Sequence, residues 1–131
     1  MANMNENAHK SLELIGQEAA KDAYYLAMQS MATLNRNAAE LMFKYKAHGA
    51  TDVTGFGIEG HTANLAAVQK EAVDLHVEAL PIINRMAAID ENVFDFRLLA
   101  GRSAETSGGL LIMMPPDNAN DFMRELEQEY G

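Results

Sequence analysis

The sequence contains no cysteine. Disulfides, thiolate metal sites and a cysteine nucleophile are therefore excluded. No apolar run approaches the ~18 residues that a membrane span requires. The opening stretch, MANMNENAHKS, has neither the basic start nor the apolar core of a secretory signal. Positive charge is scarce: Lys and Arg number 10 against 19 Asp and Glu, for a net charge of −9. A surface of that sign repels phosphate backbones, and no basic cluster offsets it, which argues against nucleic-acid partners. There is no glycine loop closed by a lysine of the Walker type, no nucleophile elbow, and no pair of histidines spaced as ligands on one helix face. These absences leave no complete catalytic set, and they fit a cytoplasmic protein that binds neither membrane nor nucleic acid.

What remains is a chain of 131 residues, 48% of them apolar, enough for one domain with a core. Residues 1–21 read as a flexible lead-in and 22–131 as the domain. From Asp22 to about Lys46, apolar residues recur at steps of three and four (Tyr24, Met28, Met31, Leu34, Ala38, Leu41, Tyr45), which predicts a helix. A short strand over 50–54 and a helix over 56–69 follow. In AVDLHVEA, Val73, Leu75 and Val77 alternate with Asp74, His76 and Glu78, the pattern of a half-buried strand. Pro81 is expected to open a short helix through Ala88. Residues 90–108 read as a long loop, GLLIMM as a fully buried strand, and the residues after Pro115 as a final helix with Ala119, Phe122, Met123, Leu126 and Tyr130 on one side. The order is that of an α+β domain with helices packed on a sheet.

The residues that stand out lie in GATDVTGFGIEGH. Asp52 stands between two threonines and is followed by Gly55 and Gly57 at the start of a helical run. An aspartate at the end of a strand suits Mg²⁺, which takes one or two protein carboxylates and completes its shell with water and phosphate. Thr51 and Thr54 would add hydroxyls, and the glycines would let backbone amides face an anion. The competing reading is an aspartate capping a turn into a helix, and spacing alone does not choose. A cation is in any case required between this acidic chain and a phosphate, because two like charges 4 Å apart repel by about 4 kcal/mol near a protein surface. His61, on the apolar stripe between Ile58 and Leu65, reads as a hydrogen-bonded core residue. ETSGG, Glu105 to Gly109, fits either a phosphate-lining loop or a turn into the next strand. Arg97 and Arg102 either clamp a phosphate or are solvated.

Taken together, ATDVTGFGIEGH at 50–61 and ETSGGLLI at 105–112 resemble the two signature segments in the C-terminal half of selenophosphate synthetase (selenide, water dikinase). ALPIINRMAAI at 79–89 and MATLNRNAAELM at 31–42 resemble the same family between and before them, so the likeness covers about residues 22–131 and is closest to eukaryotic members. It implies the C-terminal domain fold of the aminoimidazole ribonucleotide synthetase-like superfamily, helices on a mixed sheet with partly ferredoxin-like topology, here incomplete at its C-terminal end. It also implies synthesis of selenophosphate from selenide and ATP, with Mg²⁺, releasing AMP and phosphate. In that family the aspartate of TDVTGFG reaches the Mg²⁺ ions on the ATP phosphates; the role carries over to Asp52, with Thr51, Thr54, Gly55 and Gly57 beside the nucleotide. No catalytic residue carries over, because the family places its glycine-rich segment, lysine and cysteine or selenocysteine in an N-terminal ATP-binding domain, which also makes most of the homodimer contact. The chain thus reads as one piece of that enzyme, inactive alone. Two alternatives stand beside it: a non-catalytic interaction or regulatory protein on the same fold, and an ATP-dependent purine or thiamine enzyme of the superfamily, against which TDVTGFG and TSGGLL argue.

Overall fold

The computed structural model describes residues 2–130. Helix α1 (Ala2–Ile15) and α2 (Gln17–Ala32) are separated by Gly16, whose φ of 82° lies in the left-handed region. Residues 2–15 are thus helical where the sequence suggested a lead-in without regular structure. Ala, Glu, Lys and Leu favour helix, Lys10 pairs with Glu6 one turn away at 2.9 Å, and Ile15 is buried. The helix packs on α2 and on α5 (Met86–Val93), a distant partner that local periodicity does not reveal.

The single helix expected over 22–46 is two. Thr33 leaves helical geometry with ψ of 123° and turns its hydroxyl back to the Gln29 carbonyl at 2.9 Å. Helix α3 (Arg36–Lys44) then starts afresh. Strand β1 (Gly49–Asp52) pairs antiparallel with β2 (Leu110–Met113) in the register Gly49 to Met113 and Asp52 to Leu110. Among the described residues this pair is the whole sheet, so the fold is α+β, while the mixed sheet that the resemblance implied is limited here to two antiparallel strands. GLLIMM was expected to be fully buried; β2 is half-buried along its length, because α3 packs on it and few other elements do.

Helix α4 (Gly57–Ala67) lies against β1 and buries His61 and Leu65. The strand expected over 73–77 does not form. Val73, Leu75 and Val77 line a cleft of about 500 Å³ with α4, but Asp74 lines it too, and Val73 and Val77 stay exposed. A strand, however, needs a neighbour to take its backbone hydrogen bonds, and among the described residues it has none. Pro81 opens no helix either; α5 begins five residues later, after Arg85 at φ 68°. The expected loop 90–108 instead holds the end of α5 and a short 3₁₀ turn at Leu98–Ala100. Helix α6 (Pro116–Tyr130) forms as predicted, burying Phe122 while Met123 stays exposed.

The core is shallow. Ile15, Ala23, Leu41, Val53, Leu65 and Phe122 form it. The chain exposes 9746 Å², whereas a folded monomer of 14.4 kDa exposes roughly 6,800 Å². The excess of about 2,900 Å² exceeds what one partner contributes to a standard interface, about 800 Å².

Candidate functional site

Strand β1 delivers Asp52 to its C-terminal end, and the chain then turns sharply into α4. Val53 points inward and is buried, which by the period-two rule sends Asp52 outward. The Asp52 side chain is exposed, and among the described residues its carboxylate takes part in no ion pair or hydrogen bond; only its backbone carbonyl accepts, from the Thr51 hydroxyl at 3.1 Å. The capping alternative does not hold, since the residue at the helix N-cap is Phe56 and no side chain caps α4.

The turn behind Asp52 is rigidly tied. The Val53 N–H donates to the Gly109 carbonyl at 3.0 Å, and the Thr54 carbonyl accepts both Gly57 N–H at 3.1 Å and Glu105 N–H at 2.9 Å. The Thr54 N–H donates to His61 Nε2 at 2.9 Å, with the Thr54 hydroxyl 3.3 Å from the same atom. An Nε2 that accepts an amide proton carries none, so the ring proton is on Nδ1. His61 is therefore the hydrogen-bonded interior residue that the sequence suggested.

The two signature segments meet here. A Cβ on Gly108 would come 2.1 Å from the Val53 carbonyl oxygen, so ETSGG passes backbone to backbone against TDVTG and only glycine fits. Of the two readings of ETSGG, a turn into the strand is what the hydrogen bonds describe. Its Thr106 and Ser107 also border a mainly apolar cleft of about 500 Å³ that Met31, Met86 and Phe94 line. Gly57 has φ 66°, and a Cβ there would press on the backbone of 101–103 at 2.7–2.9 Å, so an internal contact explains this glycine. Its N–H and that of Glu59, which donates to the Gly101 carbonyl at 2.9 Å, are engaged within the chain. Gly55 faces open space.

Other candidates fall elsewhere. Arg102 forms a two-pronged pair with Glu59, 2.9 Å for one prong; this bond lowers the Glu59 carboxyl below its ordinary value and raises the guanidinium. Arg97 is exposed, at φ 56°. His48 immediately precedes β1, at the opposite end from Asp52, and its N–H donates to the Met113 carbonyl. His76 is exposed in the unpaired segment. Among the described residues no three His, Asp or Glu side chains gather as a metal cage. A cation at Asp52 would take one carboxylate from this chain, a donor set that suits Mg²⁺ on a phosphate.

Two residues escaped the sequence reading. Asp90 is buried, and its carboxylate accepts the backbone N–H of Phe96 and of Leu98, the latter at 2.7 Å; it folds a loop in which Phe94 and Phe96 stack at 4.9 Å. Asn35 donates through Nδ2 to the Gly108 carbonyl at 2.9 Å. No local spacing signals either.

The α+β domain falls in a known class. The chain belongs to the family described as AIR synthase related protein, C-terminal domain, whose model matches residues 2–131. Within that class it is similar to selenide, water dikinase 2 of Mus musculus, 50% identical over 127 residues that make up 96% of this chain and 28% of the relative. It is also similar to selenide, water dikinase 3 of Danio rerio, 48% identical over 92% of this chain and 30% of the relative, and to selenide, water dikinase of Dictyostelium discoideum, 46% identical over 92% and 34%. The chain thus spans about a third or less of the length of these relatives.

Proposed function

We propose that this chain is part of a selenide, water dikinase that makes selenophosphate from selenide and ATP, and that its contribution is the metal-facing carboxylate of Asp52. One observation carries the proposal: an exposed carboxylate, unpartnered among the described residues, on a turn whose backbone is held at four points by the second signature segment and by His61. A buried carboxylate must be satisfied by neighbours; an exposed one is solvated and open to a ligand, and on a fixed backbone it suits a cation held on another body. Mg²⁺ bound there would neutralise the triphosphate charge that phosphoryl transfer must spread. Asp52 acts as a ligand in this reading, neither base nor nucleophile. Open Gly55 lies beside the turn, whereas Thr51, next to Asp52 in β1, faces the opposite side of the strand by the same alternation. Thr54 and Gly57 hold the turn from behind.

The nucleotide's other contacts, the nucleophile and the homodimer contact are assigned to an N-terminal ATP-binding domain of the same protein, in the cytoplasm. The roughly 2,900 Å² of surplus surface and exposed Phe56 and Leu34 beside the signature segments support a further body against this one. Titration calorimetry with ATP and Mg²⁺ tests the division of labour. The chain alone is expected to bind nucleotide weakly and to form no selenophosphate; micromolar binding by the chain alone would contradict it.

A further inference from the structure

Among the described residues the Asp52 side chain has no partner, so its position is set by the backbone of its turn. That backbone leans on residues 105–109, through the Val53–Gly109 and Thr54–Glu105 bonds and the tight Gly108 contact. The brace needs its own support, because it is irregular chain before β2 and includes Ser107 at φ 54°. On its far side the Gly108 carbonyl accepts Asn35 Nδ2 at 2.9 Å, from 73 residues away. Asn35 occupies the N-cap position of α3, where asparagine ordinarily bonds the amides of its own helix. Here it makes no capping bond. Its side chain is half-buried and directed at Gly108 instead, at the expense of local helix stability.

We infer that Asn35 is a positioning residue: acting through Gly108, it fixes the turn that presents Asp52. The inference rests on the metal-facing reading of Asp52 for its purpose, but the brace is testable without it. Amide hydrogen exchange on this chain is the first measurement. Asn35→Asp keeps the shape and removes the donor, and Asn35→Ala removes it without adding charge. Both are expected to speed exchange at Val53 and Glu105 by roughly fivefold. The His48 amide, bonded to Met113 at the other end of the same strand pair, should keep its rate. Equal acceleration at all three amides, or at none, would overturn the inference, since general loosening moves them together.

The second measurement is the Mg²⁺ dependence of selenophosphate formation in a protein of the relatives' length, with Asp52→Asn run in parallel. Asn35→Ala should raise the Mg²⁺ needed for half-maximal turnover by roughly fivefold. If Asp52→Asn abolishes turnover and Asn35→Ala leaves the Mg²⁺ requirement unchanged, the positioning role is wrong. If Asp52→Asn changes nothing, the metal reading is wrong, and the exchange pattern alone decides the brace.

Discussion

Two glycines near Asp52, Gly108 and Gly55, look alike in sequence and differ in what a methyl group would meet. At Gly108 it would strike the Val53 carbonyl oxygen at 2.1 Å, and backbone cannot rotate aside as a side chain can. Gly108→Ala should therefore destabilise the chain by about 1–3 kcal/mol, the usual cost of forced overpacking, as read from denaturant melts. Gly55→Ala, with open space around it, should stay within about 0.5 kcal/mol. A tolerated Gly108→Ala would mean that the two signature segments do not touch as described. His61 makes a comparable prediction. Removing its ring leaves the Thr54 N–H without an acceptor, so His61→Ala should cost about 1–3 kcal/mol from the unpaired amide, plus lost packing. A melt within error of the parent chain would refute it.

Between elements, helix α3 is tied to α6 by one carboxylate. Glu125 accepts from Lys44 at 2.6 Å and from the Tyr45 hydroxyl, while Asn118 donates to the Tyr45 carbonyl at 2.9 Å. The Lys44 bond first, then that of Tyr45, holds the Glu125 carboxyl below its ordinary value of 4.5. A group lowered on folding lends stability above its unfolded pKa and loses it as pH falls through the lowered one. Hydrogen bonding to Glu125 raises both Lys44 and Tyr45, so their contribution is present below their ordinary values and lost as pH rises through the raised ones. The tie should weaken below about pH 4.5 and above about pH 10. Thermal melts across the acid range should fall less steeply for Glu125→Gln than for the parent; parallel curves would show that the tie adds nothing.

Legibility at this level followed the range of the forces involved. Helices α4 and α6 were readable because their spacing and their start signals are local. The break between α2 and α3 was not, since it depends on Thr33 and on Asn35 being drawn to Gly108. The alternation at 73–77 suggested one apolar side, but Asp74 shares the cleft with the valines, because strand geometry depends on a neighbour that no residue within the segment can announce. Helix α1 was missed because its docking surface lies on α5.

For the molecule as a whole, the surface is too large for the mass. Tyr24, Leu34, Phe43 and Phe56 are each more than half exposed. Such a surface should bind an apolar dye: ANS fluorescence is expected to rise with the native chain, and no enhancement would show that these side chains are covered. The candidate site was legible in part. TDVTGFG and ETSGG drew notice through composition, and Asp52 stands open where the sequence placed it. Of its supports, His61 was legible as a hydrogen-bonded interior residue on the apolar stripe, whereas Asn35 was not, because it acts through a backbone carbonyl that any residue could supply.

The central claim is tested most directly by the Mg²⁺ dependence of selenophosphate formation in a protein of the relatives' length carrying Asp52→Asn. The account predicts that turnover is lost while circular dichroism and the melting temperature stay those of the parent. Normal turnover with an unaltered Mg²⁺ requirement would contradict it.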